Sequence, residues 1–266
     1  MKIRLKFAIP LAVSIMAFAS CSNDVSESEF REFDVSSKYL GAKRTVGVYL
    51  PQGYDSQKGY PVIYMEDGLV FKEGGYKHLI DSLITYKVIK PVIVACSYED
   101  KSPVEGYTLA VRNAEYVEAL AGQDSTLSKI FENHMKYFTD EFVPAIQKRF
   151  DVSQKPEDNI YYGTSNSADF GLTLSMRHPG LFSEYWCFSP VYSDLSKYGM
   201  LQQKVKYMIC WGAKEEASIS FDYFPSLVQS IRKRGGNVAS WDFNDGHDRD
   251  HWRTEFIKLL EKRFPF

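Results

Sequence analysis

Three short stretches of this sequence carry side chains that together could cleave an acyl bond. In Tyr161-Tyr162-Gly163-Thr164-Ser165-Asn166-Ser167-Ala168 a serine stands two positions after a glycine. In Gly212-Ala213-Lys214-Glu215-Glu216 two carboxylates follow a glycine, and in Gly246-His247-Asp248 an imidazole does. A serine hydroxyl is too weak an acid to attack a carbonyl at neutral pH unless a base takes its proton. Imidazole titrates near neutrality, so it can take that proton and return it to the leaving group. A carboxylate behind the imidazole holds its orientation and offsets its positive charge. Ser165, His247 and Glu215 are therefore the candidate nucleophile, base and acid, with Glu216 as the alternative acid.

Each residue also has an ordinary use. Serine caps helix N-termini well, and glutamates are commonly solvated. His247 and His251 are spaced as two zinc ligands on a helix would be. The glutamate of an HExxH motif is absent, and no third ligand is evident, so no metal is expected. His251 reads instead as a helix-start residue packed near Trp252. The order serine, acid, histidine is the stronger signal, because it is that of a nucleophile-elbow hydrolase. An oxyanion formed at Ser165 needs two backbone N–H donors. One is expected from Asn166, the other from the loop near Gly68-Leu69, with Leu69 the candidate. Asp67 reads as a turn residue rather than an acid.

These side chains need a scaffold that gathers them. Asn159–Tyr162 is a short aromatic run, and Phe170, Leu172, Leu174 and Met176 follow at spacings that suit a buried helix. Tyr207–Trp211 precedes the acid loop and Val238–Phe243 precedes the histidine loop. Each candidate thus follows a strand, where a parallel sheet collects its functional loops. Thr45–Leu50, Pro61–Met65, Pro91–Cys96 and Tyr185–Phe188 read as further strands. Helices are expected over Tyr76–Tyr86, from residue 168, over Phe221–Arg234 and from Arg249. Leu127–Phe150 reads as one long amphipathic helix, kinked or broken at Pro144. Residues 97–125 form a polar excursion of the kind that shapes a site. Alternating strands and helices predict an α/β fold with a mostly parallel sheet covered on both faces, its first strands antiparallel.

At 266 residues and 44% hydrophobic, the chain can bury one sizeable core. A formal net charge of -2 gives no reason to invoke nucleic acid. Its 18 Tyr and 18 Phe are read first as core and second as lining for a flat substrate. Lys2, Arg4 and Lys6 precede an apolar stretch, Phe7–Phe18, that is too short for a comfortable membrane span. Ala19-Ser20-Cys21 follows and resembles a bacterial lipobox, with Phe18 where leucine is commoner. The expectation is an exported lipoprotein held at the cell envelope through Cys21; an ordinary secretory signal is the alternative. Residues 1–21 are then the export segment, 22–33 a polar tether and 34–266 a single domain. Cys96, Cys187 and Cys210 lie in apolar runs and read as buried free thiols.

Six segments carry a family resemblance: Arg44–Pro51, Tyr60–Gly68, Arg112–Tyr116, Gly163–Asn166, Arg177–Phe182, and Gly246–Asp248 with Trp252. They resemble the Putative esterase family of α/β-hydrolases, which includes esterase D-like, enterochelin-esterase-like and feruloyl-esterase-like proteins. The resemblance implies an α/β-hydrolase fold and a serine esterase working through an acyl-enzyme. It makes Ser165 the nucleophile and His247 the base, places the acid on the Glu215-Glu216 loop, and calls for no cofactor. It implies a small-molecule or carbohydrate-linked substrate: an acyl or feruloyl ester of a polysaccharide, or a siderophore ester. Arg112 could meet an anionic or catechol substrate; an ion pair with Glu115 or another acid is its ordinary use. The family usually has paired glycines where Ser167-Ala168 stand. The alternative function is therefore a catalytically weakened hydrolase scaffold serving as a binding protein.

Overall fold

A computed structural model describes residues 27–216 and 222–266. The expected export segment with Cys21, and residues 22–26 of the expected tether, lie outside the described residues. Among the described residues eight strands form one sheet: β1 (Glu29–Ser37), β2 (Ala42–Leu50), β3 (Val62–Met65), β4 (Ile93–Ser97), β5 (Asn159–Thr164), β6 (Glu184–Phe188), β7 (Lys206–Gly212) and β8 (Asn237–Phe243). Their spatial order is β1-β2-β4-β3-β5-β6-β7-β8. The pairs β1·β2 and β2·β4 are antiparallel and all others parallel. β3, β4 and β6 are buried along their whole length, and for that reason their sequences read as continuous apolar runs, bounded by Glu184 in β6 and Ser97 in β4, rather than alternating ones.

The folded domain begins earlier than the sequence suggests. Residues 29–33, assigned to the tether above, belong to β1 and pair in register with β2 from Glu29↔Leu50 onward. β1 is an edge strand, four of its nine residues are charged and exposed, and composition alone reads it as a linker. Both faces contribute apolar side chains, Phe33 and Val35 to one core and Phe30 to the other. Phe30 stacks on Phe71 and covers Gly47, where a Cβ would collide with the ring.

Successive strand residues point to opposite faces, and two cores result. Tyr64, Tyr161, Tyr185 and Tyr207 face one side, beneath α5 (Ser125–Tyr137), α6 (Val143–Arg149), α7 (Asn166–Arg177) and α8 (Phe224–Lys233). Ile63, Met65, Tyr162 and Trp186 face the other, beneath α1 (Gly68–Glu73), α2 (Tyr76–Thr85) and α9 (Arg249–Arg263). Most aromatics are structural. Phe170 alone contacts the rings of Tyr116, Phe131, His134, Phe138 and Tyr161. Burying such a ring contributes about 1.5–3 kcal/mol.

Two helical details differ from expectation. The predicted long helix 127–150 is α5, a π-helical turn at Phe138–Phe142, and α6. Pro144 cannot donate an N–H to the preceding turn, and the widened turn absorbs that defect. The polar excursion contains two short helices, α3 (Val111–Tyr116) and α4 (Glu118–Ala121). α5 then opens on Asp124, whose side chain accepts from Thr126 N and Leu127 N at 2.8 and 2.9 Å.

Candidate active site

Ser165 sits between β5 and α7 with φ 54° and ψ -127°. A non-glycine residue pays strain for a left-handed φ, which a sharp turn exposing a side chain requires. The turn is close-packed. A Cβ on Gly163 would lie 2.5 Å from the Ser167 carbonyl oxygen, so only glycine fits there. Ser167, the residue that departs from the family's usual glycine, is buried and useful. Its Oγ donates to Thr164 O at 2.8 Å and accepts from Thr164 N at 2.9 Å. The Tyr161 hydroxyl donates to Ser167 O at 2.7 Å, fixing the same turn from below.

The three candidate side chains meet. Ser165 Oγ lies 2.9 Å from His247 Nε2, and His247 Nδ1 lies 3.0 Å from Glu215 Oε2. They come from the turns after β5, β8 and β7, three strands whose C-terminal ends share one edge of the sheet. The acid and base turns also touch directly. A Cβ at Gly212 would run into the carbonyls of Asp245 and Gly246, and Lys214 N donates to Asp245 O at 2.8 Å. Burial pushes the Glu215 carboxyl up, but hydrogen bonds from His247, Ser189 and Gly212 N outweigh it and hold the group below the usual carboxylate range. The Glu215 side chain is 3% exposed and His247 41%, so the base faces the cleft while the acid is enclosed. Glu216, the alternative acid, is exposed on the same turn and lines a neighbouring cleft; the carboxylate that meets His247 is that of Glu215.

The two expected oxyanion donors lie on helix starts. Asn166 is the first residue of α7, so its N–H has no acceptor inside the helix. Leu69 stands in the first turn of α1 and lines the cleft beside Ser165. Its N–H makes a long bond, 3.4 Å, to Glu99 Oε2. The loop before α1 is anchored by buried charge. Asp67, left-handed at φ 57°, takes two bonds from Arg112 at 2.5 and 2.7 Å. Arg112 lines the cleft, but its guanidinium is engaged there; Glu115, proposed above as its partner, is held by Arg44 instead at 2.6 and 3.0 Å. Glu66 is hydrogen-bonded by His134 at 3.0 Å and by Tyr116 at 3.2 Å.

A cleft of about 610 Å³ opens on one side of Ser165 and His247, lined by charged side chains that include Lys101, Arg249 and Arg253. A second, of about 330 Å³, opens on the other side against Val191 and Tyr192. The fully buried Asp169 holds that wall, accepting from Val191 N, Tyr192 N and the Ser193 hydroxyl at 3.2, 3.0 and 2.6 Å. Burial raises its pKa to about 7 against the opposing hydrogen bonds. His251 stands in the first turn of α9, as expected, where it stacks on Phe243 with ring centroids 5.2 Å apart and bonds to Asp248. Among the described residues no cluster of His, Cys, Asp and Glu is arranged to hold a metal ion. Cys96, Cys187 and Cys210 are buried and unpaired to one another.

A family model described as "Putative esterase" matches residues 37–222. No curated protein matches the chain. Among solved structures, a ferulic acid esterase superposes with a TM-score of 0.69 at 19% identity, covering 90% of this chain and 97% of that one. A CE1 ferulic acid esterase from the anaerobic fungus Anaeromyces mucronatus gives 0.68 at 16% identity, covering 90% and 91%. The enterobactin esterase of Shigella flexneri gives 0.66 at 13%, covering 88% of this chain and 58% of that one. At such identities the likeness is one of fold.

Proposed function

Because this chain belongs to the Putative esterase family and is a carboxylic ester hydrolase with an α/β-hydrolase fold, we propose that it cleaves its ester through a serine acyl-enzyme. Ser165 Oγ attacks the ester carbonyl while His247 Nε2, 2.9 Å away, takes its proton. Glu215 keeps the Nδ1 proton directed at itself, which leaves Nε2 as the acceptor. The carbonyl oxygen, now an anion, is met by the N–H of Asn166 and by that of Leu69, which exchanges its long bond to Glu99 for the stronger charge. His247 returns the proton to the departing alkoxide, and the alcohol leaves. Water then attacks the acyl-serine by the same route. The observation that carries this reading is the unbroken line of contacts from Ser165 through His247 to Glu215.

The structures of similar fold include a ferulic acid esterase and an enterobactin esterase. We extend their chemistry to this chain as two substrate classes, aromatic acyl esters of carbohydrates and siderophore esters. Arg112, engaged by Asp67, holds the oxyanion loop rather than the substrate. Labelling with a fluorophosphonate should modify Ser165 and should vanish in Ser165→Ala; labelling that persists in the variant overturns the assignment. Turnover of a panel of feruloylated and acetylated sugars against a catecholate ester separates the substrate classes. No turnover of any ester by a chain that also fails to label would favour the binding-protein alternative. Export and lipidation at Cys21 belong to the same proposal, and radiolabelled palmitate incorporation lost in Cys21→Ala tests them.

A further inference from the structure

Behind the Glu215 carboxylate lies Ser189, a fully buried side chain that the mechanism above does not use. Its hydroxyl donates to Glu215 Oε1 at 2.6 Å and accepts from Trp252 Nε1 at 3.0 Å. An indole N–H can only donate. The Trp252 bond therefore occupies an acceptor site of the hydroxyl and leaves its single proton for the carboxylate. Trp252, in the first turn of α9, also packs edge-on against His247, with ring centroids 4.5 Å apart and an interplanar angle of 87°. Ser189 follows β6, so the loops after β5, β6, β7 and β8 all reach this one cluster. Its backbone is left-handed, φ 48°, with its N–H on Cys210 O at 2.7 Å. Glycine would adopt that backbone freely; only a side chain with a hydroxyl would serve the carboxylate.

We propose that Ser189 and Trp252 are positioning residues of this esterase: the indole fixes the Ser189 hydroxyl, and the hydroxyl fixes Glu215 in the orientation that holds His247 toward Ser165. The proposal rests on the roles of Ser165, His247 and Glu215 given above. Gly212 N donates to the same Oε1 at 2.9 Å, so one carboxylate oxygen is held by two donors while the other meets His247. The Cys210 thiol also lies close; burial pushes it well up, so it carries no charge there. Arg249 and Asp250 lie farther along the cleft, beside His247.

Ser189→Gly tests this without loosening the turn, because it deletes the hydroxyl at a position whose backbone favours glycine. Relief of the left-handed backbone offsets part of the loss of two buried hydrogen bonds, so the protein should stay folded with a modestly lowered unfolding midpoint, while kcat/KM per folded molecule falls about tenfold, the scale of losing an orienting hydrogen bond behind a reactive group. The acidic limb of the kcat/KM profile should move to higher pH, because a carboxylate with one donor fewer keeps a proton on the Glu215–His247 pair more tightly. Trp252→Phe keeps an aromatic ring on this side of His247 while removing the N–H together with part of the indole, so it should move the limb the same way by less, with a lower unfolding midpoint from the smaller ring. A Ser189→Gly protein with parental kcat/KM and an unmoved limb overturns the proposal. Fluorophosphonate labelling of the parent tells the two failures apart. A parent that labels at Ser165 beside an unaffected Ser189→Gly sinks the positioning role alone. A parent that does not label removes the assignment beneath it as well.

Discussion

Two histidines in this molecule sit against glutamates at the same distance and do opposite things. His247 Nδ1 and His134 Nε2 each lie 3.0 Å from a glutamate oxygen, Glu215 and Glu66 respectively. The second nitrogen decides the difference. That of His247 faces a neutral hydroxyl, Ser165, and its side chain is 41% exposed to the cleft. That of His134 faces a second carboxylate, Glu115, at 3.5 Å, and the side chain is completely enclosed. Burial alone would pull the His134 pKa down, but the charges of Glu115 and Glu66 outweigh it and hold the imidazole protonated, with a pKa of about 9. Burial likewise raises Glu115, yet His134 and Arg44 together bring it down to about 2. An imidazole between two carboxylates is a structural cation. An imidazole between one carboxylate and a hydroxyl is free to move a proton.

The comparison breaks most visibly at His247. His247→Gln should cost roughly 10⁴-fold or more in kcat/KM at unchanged unfolding midpoint, measured by steady-state kinetics and thermal melting. Glu215→Gln should cost about 10²–10⁴-fold, since it no longer fixes the base. Glu216→Gln, by contrast, should stay within about twofold, and the reverse ranking in the same assay would exchange the two acids. His134→Gln should invert the pattern. Removing a charge buried between partners typically costs about 3–5 kcal/mol, read by urea denaturation, with activity per folded molecule largely retained. The pH dependence sharpens this. The folded pKa of His134, about 9, lies above its unfolded value, so its stabilisation is complete below the unfolded value near 6.5. It is lost as pH rises toward 9, and denaturation midpoints should decline across that interval in the parent and much less in His134→Gln. The smallest effect is expected at the elbow that delivers Ser165. Ser167→Gly restores the commoner residue but deletes two hydrogen bonds to Thr164, at about 1 kcal/mol of stability and little change in rate.

The site side chains that follow strands were readable. Ser165 and the Glu215-Glu216 pair follow mainly buried strands and His247 follows the half-exposed β8, and parallel sheets expose their functional loops at those ends. The choice between the two glutamates was not readable, because it depends on which carboxylate the turn after Gly212 directs inward. Ser189 carried a usable signal, since it also closes a parallel strand; its role needed Trp252, which lies 63 positions away. The buried cluster of Arg44, Glu66, Glu115 and His134 was marked only in part. Arg44, Glu66 and Glu115 lie in segments that carry the family resemblance, but nothing in those segments pairs them with His134, and only β2, β3, α3 and α5 converging beneath the oxyanion loop make them partners. β1 escaped for a related reason: an edge strand with four exposed charges looks like linker until its partner is known.

Gly212, pressed against the carbonyls of Asp245 and Gly246, has a bearing on how this scaffold can change. The acid turn and the base turn behave as a single cassette, and neither can be lengthened or swapped without the other. Diversification of substrate must then fall to elements outside it, namely the 97–125 excursion on one side and the Val191-Tyr192 wall on the other. A library confined to the exposed positions of those two regions, sparing Arg112 and Glu115, should retain ester cleavage in most members, whereas one confined to residues 213–216 should lose it.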